Sequence, residues 1–147
     1  MFDAGDMSPE DLEVLMPIFR ASGEQRIVEL RRTLEILGRA PDDEEALTLL
    51  HRAAHSLKGA SLQLGLVRIG TLARAMEAAA TASRSCPGGM PVDALPLLAL
   101  CTDWLECQLR GEETPGGAPD ATEGLMSALE SLTSRLILER EARGGAA

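Results

Sequence analysis

The chain has no tyrosine, one tryptophan and two phenylalanines, and a single lysine. Fourteen basic residues stand against twenty-three acidic ones, a formal charge of −9. Neither a broad basic surface nor a set of stacking rings is present, so a nucleic-acid binder is excluded. The longest apolar stretches, such as 95–101, fall far short of the roughly 20 residues that cross a bilayer. Asp3 and Asp6 occupy the start, where a signal peptide would be basic. These absences lead to the expectation of a cytoplasmic protein with no membrane partner. Cys86, Cys101 and Cys107 are odd in number and lack metal-ligand spacing, so they read as reduced structural thiols. With 147 residues and 15.6 kDa, the chain suits one domain with one core.

Apolar residues recur at helical spacing nearly throughout, and no segment alternates with the period of two that a half-buried strand needs. The expected fold is all-α, an up-down antiparallel four-helix bundle with an additional C-terminal helix. Ser8, Pro9, Glu10 and Asp11 have the order of an N-cap, a first-turn proline and dipole-favoured acids. Pro17 should kink that helix or open a new one, which carries Ile27, Leu30, Leu34 and Leu37 inward. Asp42 and Asp43 cap the second helix, in which Leu47, Leu50, Ala54, Leu57, Ser61 and Leu64 form a seam. Gly65 permits the left-handed turn that ends it. A third helix resumes with Leu66, Ile69, Ala73, Met76 and Ala80. Cys86, Pro87, Gly88, Gly89 and Pro91 then break the pattern before a fourth helix with Leu97, Cys101, Trp104 and Gln108. The expected division is a bundle over 8–111, a flexible linker over 112–124 and an accessory helix over 125–142 with Leu125, Leu129, Leu132 and Leu136.

The most informative stretch lies on the second helix. With Ala54 and Leu57 inward, His55 and Lys58 lie one position further round, on the flank of the seam. His55 is therefore expected to be partly exposed, with Lys58 one turn along. Lys58 is the only lysine in the chain, so a compact, flexible ammonium occurs only beside this histidine. Gly59 costs about 1 kcal/mol relative to alanine in mid-helix, and close approach of another body is the obvious reason for it.

The run Arg52-Ala53-Ala54-His55-Ser56-Leu57-Lys58-Gly59, followed by Gly65 and then by Ala75-Met76-Glu77, resembles the histidine phosphotransfer (HPt) domains. The likeness is greatest to the N-terminal phosphotransfer domain of chemotaxis-type histidine kinases, and it covers most of residues 18–111. The resemblance implies that His55 is the phosphoacceptor, that Glu77 orients it by bonding the non-attacking ring nitrogen, and that Lys58 offsets charge on the phosphoryl oxygens. The residues expected to dock the partner are Gly59, Leu62, Arg52 and Arg74. Close relatives often carry a second histidine where this chain has Arg74, which would either hold phosphate or pair with Glu77. The implied partners are a response-regulator receiver domain and the ATP-binding domain of a histidine kinase acting in trans, with the protein itself a monomeric substrate rather than an enzyme. No Walker-type Gly-Lys-Ser/Thr opens a helix, and no cofactor is expected.

Two other readings are open. One is an adaptor that keeps the bundle only for binding and is never phosphorylated. In the other, His51 and His55, at i and i+4, grip a metal from one helix face. No glutamate follows His51 and the cysteines lie on other segments, so no metal is assigned. His51 itself is read as a packing residue outside the site.

Overall fold

The computed structural model describes residues 8–111 and 122–145. Five α-helices make the fold: α1 (Pro9–Arg39), α2 (Glu44–Gln63), α3 (Val67–Arg84), α4 (Leu95–Arg110) and α5 (Thr122–Gly145). A 3-10 turn, Val92–Ala94, leads into α4. No strand occurs among the described residues.

The start of α1 is a capping box. The Ser8 hydroxyl accepts from the Asp11 amide at 3.1 Å, and the Ser8 amide donates to the Asp11 carboxylate at 3.4 Å. Pro17 does not divide the helix, which runs unbroken past it to Arg39. A proline removes one helical hydrogen bond, and the inward residues on its C-terminal side outweigh that loss. Those residues are Phe19, Gly23, Ile27, Leu30, Thr33 and Leu37. Thr33 takes the buried place expected of Leu34, which is half-buried. It is tolerated there because its hydroxyl donates to the Leu30 carbonyl at 2.8 Å.

Asp43, rather than Asp42, caps α2, its carboxylate accepting from the Ala46 amide at 2.9 Å. The seam of Leu47, Leu50, Ala54, Leu57 and Ser61 is buried as the spacing requires. Gly65, with φ of 77°, makes the tight turn into α3. α3 is buried over a wide face that is mostly small: Ala73, Ala75, Ala79, Ala80, Ala82 and Ser83. Small side chains let two neighbours approach at once, and α3 packs against both α2 and α5. On α4 the core residues are Leu98, Cys101, Thr102, Trp104, Leu105 and Leu109. Leu97 and Gln108, expected inward, are only half-buried. The inward stripe turns towards Leu98 and Leu109 because α4 leans on α1. Arg31 reaches Asp103 at 2.8 Å and Glu106 at 3.0 Å along that contact. Burial pushes the Cys101 thiol up to about 12, which leaves it an inert core residue.

Residues 112–121 of the expected linker lie outside the described residues. Its last three positions belong to α5, which begins at Thr122 and extends to Gly145, beyond the expected 125–142. Tertiary contact explains the earlier start, since Thr122 is buried and its hydroxyl accepts from Arg68 of α3 at 3.3 Å. Leu129, Leu132 and Leu136 are buried, with Leu125 half-buried beside them. Arg135 pairs with Asp93 at 3.2 Å, and the Cys86 thiol donates to the Leu136 carbonyl at 3.3 Å. α5 is thereby fixed to the turn between α3 and α4. No described helix is long and apolar enough to cross a membrane.

Candidate functional site

Ala54 is fully buried in the α2 seam. The next residue is rotated by about 100°, which brings the His55 ring out, its side chain 61% exposed. Glu77 comes from α3, the helix across the Gly65 turn. Its Oε1 lies 2.9 Å from His55 Nδ1. The Glu77 side chain is only 16% exposed, and its other oxygen, Oε2, is paired with the Lys58 ammonium at 2.8 Å. Burial by itself would push this carboxyl up. The hydrogen bonds and charges of Lys58 and His55 outweigh it and hold Glu77 below the usual carboxylate value.

That ionisation decides the histidine's tautomer. A carboxylate only accepts, so the contact assigns the ring proton to Nδ1. The lone pair then sits on Nε2, on the far side of an exposed ring. An arrangement of this kind can orient the ring through the carboxylate and leave the bare nitrogen able to attack an electrophile.

Lys58 is not directed solely to solvent, as a residue reserved for phosphate would be. Its side chain is 23% exposed and its ammonium is committed to Glu77. Arg74 is exposed and makes no hydrogen bond or ion pair with any described residue. Glu77 is therefore left to His55 and Lys58. Arg52 is exposed on α2. A Cβ built at Gly59 would meet nothing within 4 Å, so the helix surface next to Lys58 is open. Leu62 has a more structural place than expected. It covers Gly70, where an added Cβ would sit 2.5 Å from Leu62 Cδ2. This close approach brings the end of α2 onto the start of α3.

His51, read as a packing residue, packs on the His55 ring and also approaches Glu77. Its ring is stacked on that of His55, centroids 6.1 Å apart and planes within 9°. Its Nε2 is 3.6 Å from Glu77 Oε1, beyond hydrogen-bond distance. The signal was available: residues at i and i+4 share a helix face, so an acceptor that faces His55 from α3 is also near His51. Both rings are turned to one carboxylate. Among the described residues, no group of three or more His, Cys, Asp or Glu side chains is disposed to hold a metal ion.

Three comparisons bear on this arrangement. A family model described as Hpt domain matches residues 14–136, from within α1 to Leu136 of α5. No curated protein and no solved structure matches the chain.

Proposed function

The chain belongs to the Hpt domain family, and on that premise we propose that His55 is the phosphoacceptor of a two-component phosphorelay carrier. Hpt domains are phosphotransfer modules and not enzymes in their own right. His55 takes a phosphoryl group from a histidine kinase or a phosphorylated receiver domain and passes it to a receiver aspartate. The observation that carries this reading is the exposed His55 ring with Nδ1 2.9 Å from Glu77.

The chemistry follows from that geometry. The Nε2 lone pair attacks phosphorus in line, the N–P bond forms, and the donor's P–O bond breaks with its electron pair leaving on oxygen. The ring gains positive character as it does so. The Nδ1 proton stays between His55 and Glu77, where the carboxylate stabilises it. In the onward step a carboxylate oxygen of the acceptor attacks phosphorus, the N–P bond breaks, and the imidazole returns to its starting tautomer. Lys58 serves two roles in turn: it holds Glu77 before transfer, and it is one helical turn from the phosphoryl oxygens once they arrive. Gly59 gives the partner access, with Arg52, Leu62 and Arg74 around it. The transfer unit spans 8–111, and the protein acts as a monomer in the cytoplasm.

Incubation with a donor kinase and ATP should yield phosphate on His55 that is labile to acid and stable to alkali. No label on the wild-type chain, or equal label on His55→Gln, would overturn the assignment and leave the bundle as a binding adaptor.

A further inference from the structure

Beside Glu77, a cavity of about 420 Å³ opens between α3 and α5. Ala78, Ala82 and Ile137 are the apolar part of its lining, beside Thr81 and Thr133. Its rim is cationic: Lys58 from α2, Arg74 from α3 and Arg140 from α5, against the single carboxylate of Glu77. Lys58 is already paired with Glu77. Arg74 and Arg140 are exposed and have no ionic or hydrogen-bonded partner among the described residues. Thr133, Ile137 and Arg140 follow at steps of four and three, so α5 turns one face to this groove.

A chain with a formal charge of −9 repels an acidic body over most of its surface. Here it presents two uncompensated guanidinium groups next to the proposed phosphoacceptor. We propose that the α3–α5 groove receives an acidic, amphipathic segment of the phosphotransfer partner, with carboxylates on Arg74 and Arg140 and apolar side chains over Ala78, Ala82 and Ile137. The inference rests on the phosphocarrier reading and extends it, because it makes α5 a part of the transfer face. Charge complementarity argues for the occupant. The acceptor of the phosphoryl group is itself a carboxylate, and a local positive rim on a negative protein orients an acidic partner at that one place.

The test uses the full chain and a receiver domain that accepts phosphate from it. Arg140→Glu is compared with wild type in two reactions: labelling of His55 by phosphoramidate, a donor too small to need docking, and transfer from phosphorylated His55 to the receiver. Arg32→Glu, exposed on α1, controls for net charge. We expect phosphoramidate labelling within about twofold of wild type. Transfer should slow roughly tenfold or more at low salt, with the gap closing near 1 M salt, where the Debye length is about 3 Å. Arg140→Lys should keep most of the wild-type rate. Unchanged transfer in Arg140→Glu, or an equal loss in Arg32→Glu, overturns the groove assignment alone. Failure of wild-type His55 to take label from phosphoramidate overturns the phosphocarrier reading and the groove with it.

Discussion

Replacing Glu77 by glutamine isolates the charge of the carboxylate from its shape. In the native site one oxygen accepts from His55 Nδ1 at 2.9 Å and the other meets the Lys58 ammonium at 2.8 Å. The amide can still offer its oxygen to His55, but its NH2 then faces Lys58, donor against donor. A hydrogen bond to an ionised partner is roughly twice as strong as a neutral one, a difference of about 1 to 1.5 kcal/mol. Expressed through the tautomer and the developing charge on the ring, that is about a tenfold loss in the rate of His55 phosphorylation. Stability should fall by a similar ~1 kcal/mol, since Lys58 is left without its counter-charge. The sign with pH is fixed by Glu77 lying below its ordinary value of 4.5. Its stabilising contribution is fully present above that value in wild type. It is lost progressively as the pH falls from there to the lower folded value. Glu77→Gln lacks this increment, so its stability curve should be flatter over that acidic window. Urea titrations across pH 3 to 7, rates of phosphohistidine formation and ¹⁵N shifts of the His55 ring measure the three effects. A Glu77→Gln protein that phosphorylates at the wild-type rate with an unchanged Nδ1–H population would refute the orienting role.

Four further substitutions, at three positions, separate docking, packing and ring orientation. Gly59→Ala should stabilise the fold by roughly 0.5 to 1 kcal/mol in thermal unfolding, because the new Cβ meets nothing. Gly59→Leu should keep its helicity in circular dichroism yet weaken receiver binding measured by calorimetry, and ordinary affinity would remove the steric reading of this glycine. Gly70→Ala drives a methyl against Leu62, and a loss of about 1 to 3 kcal/mol in urea unfolding is expected. His51→Phe keeps a ring beside His55 but removes the nitrogen that faces Glu77. Nitrogen shifts of His55 should show the Nδ1–H form less populated, with helicity unchanged; an identical tautomer ratio would return His51 to a purely packing role.

Much of this molecule was legible in its sequence because a bundle writes its core at a period that one helix alone reveals. Ala54 and Leu57 turned inward place His55 outward without reference to any other element. What the periodicity does not encode is the partner across the gap. Thr33 displaced Leu34 because a hydroxyl can bond its own helix, and Leu62 proved to be the lid on Gly70 because α3 comes so close there. His51 shows the same limit: spacing puts it on the face of His55, but only the position of α3 brings Glu77 near both rings. Lys58 was recognised as singular, yet its attachment to Glu77 is a fact about two helices. The early start of α5 at Thr122 likewise depends on Arg68, 54 residues away along the chain.

Trp104 is the one tryptophan in a chain without tyrosine, and it is 2% exposed. Arg68 lies over its ring, 5.7 Å from the centroid, and also bonds Thr122 at the head of α5. The near-ultraviolet emission of this protein therefore has a single source, seated where α3, α4 and the start of α5 meet. Any event that loosens α5 from the bundle should change the colour and intensity of that emission, so an optical gauge of the α5 seat is built into the native chain without a dye or a label.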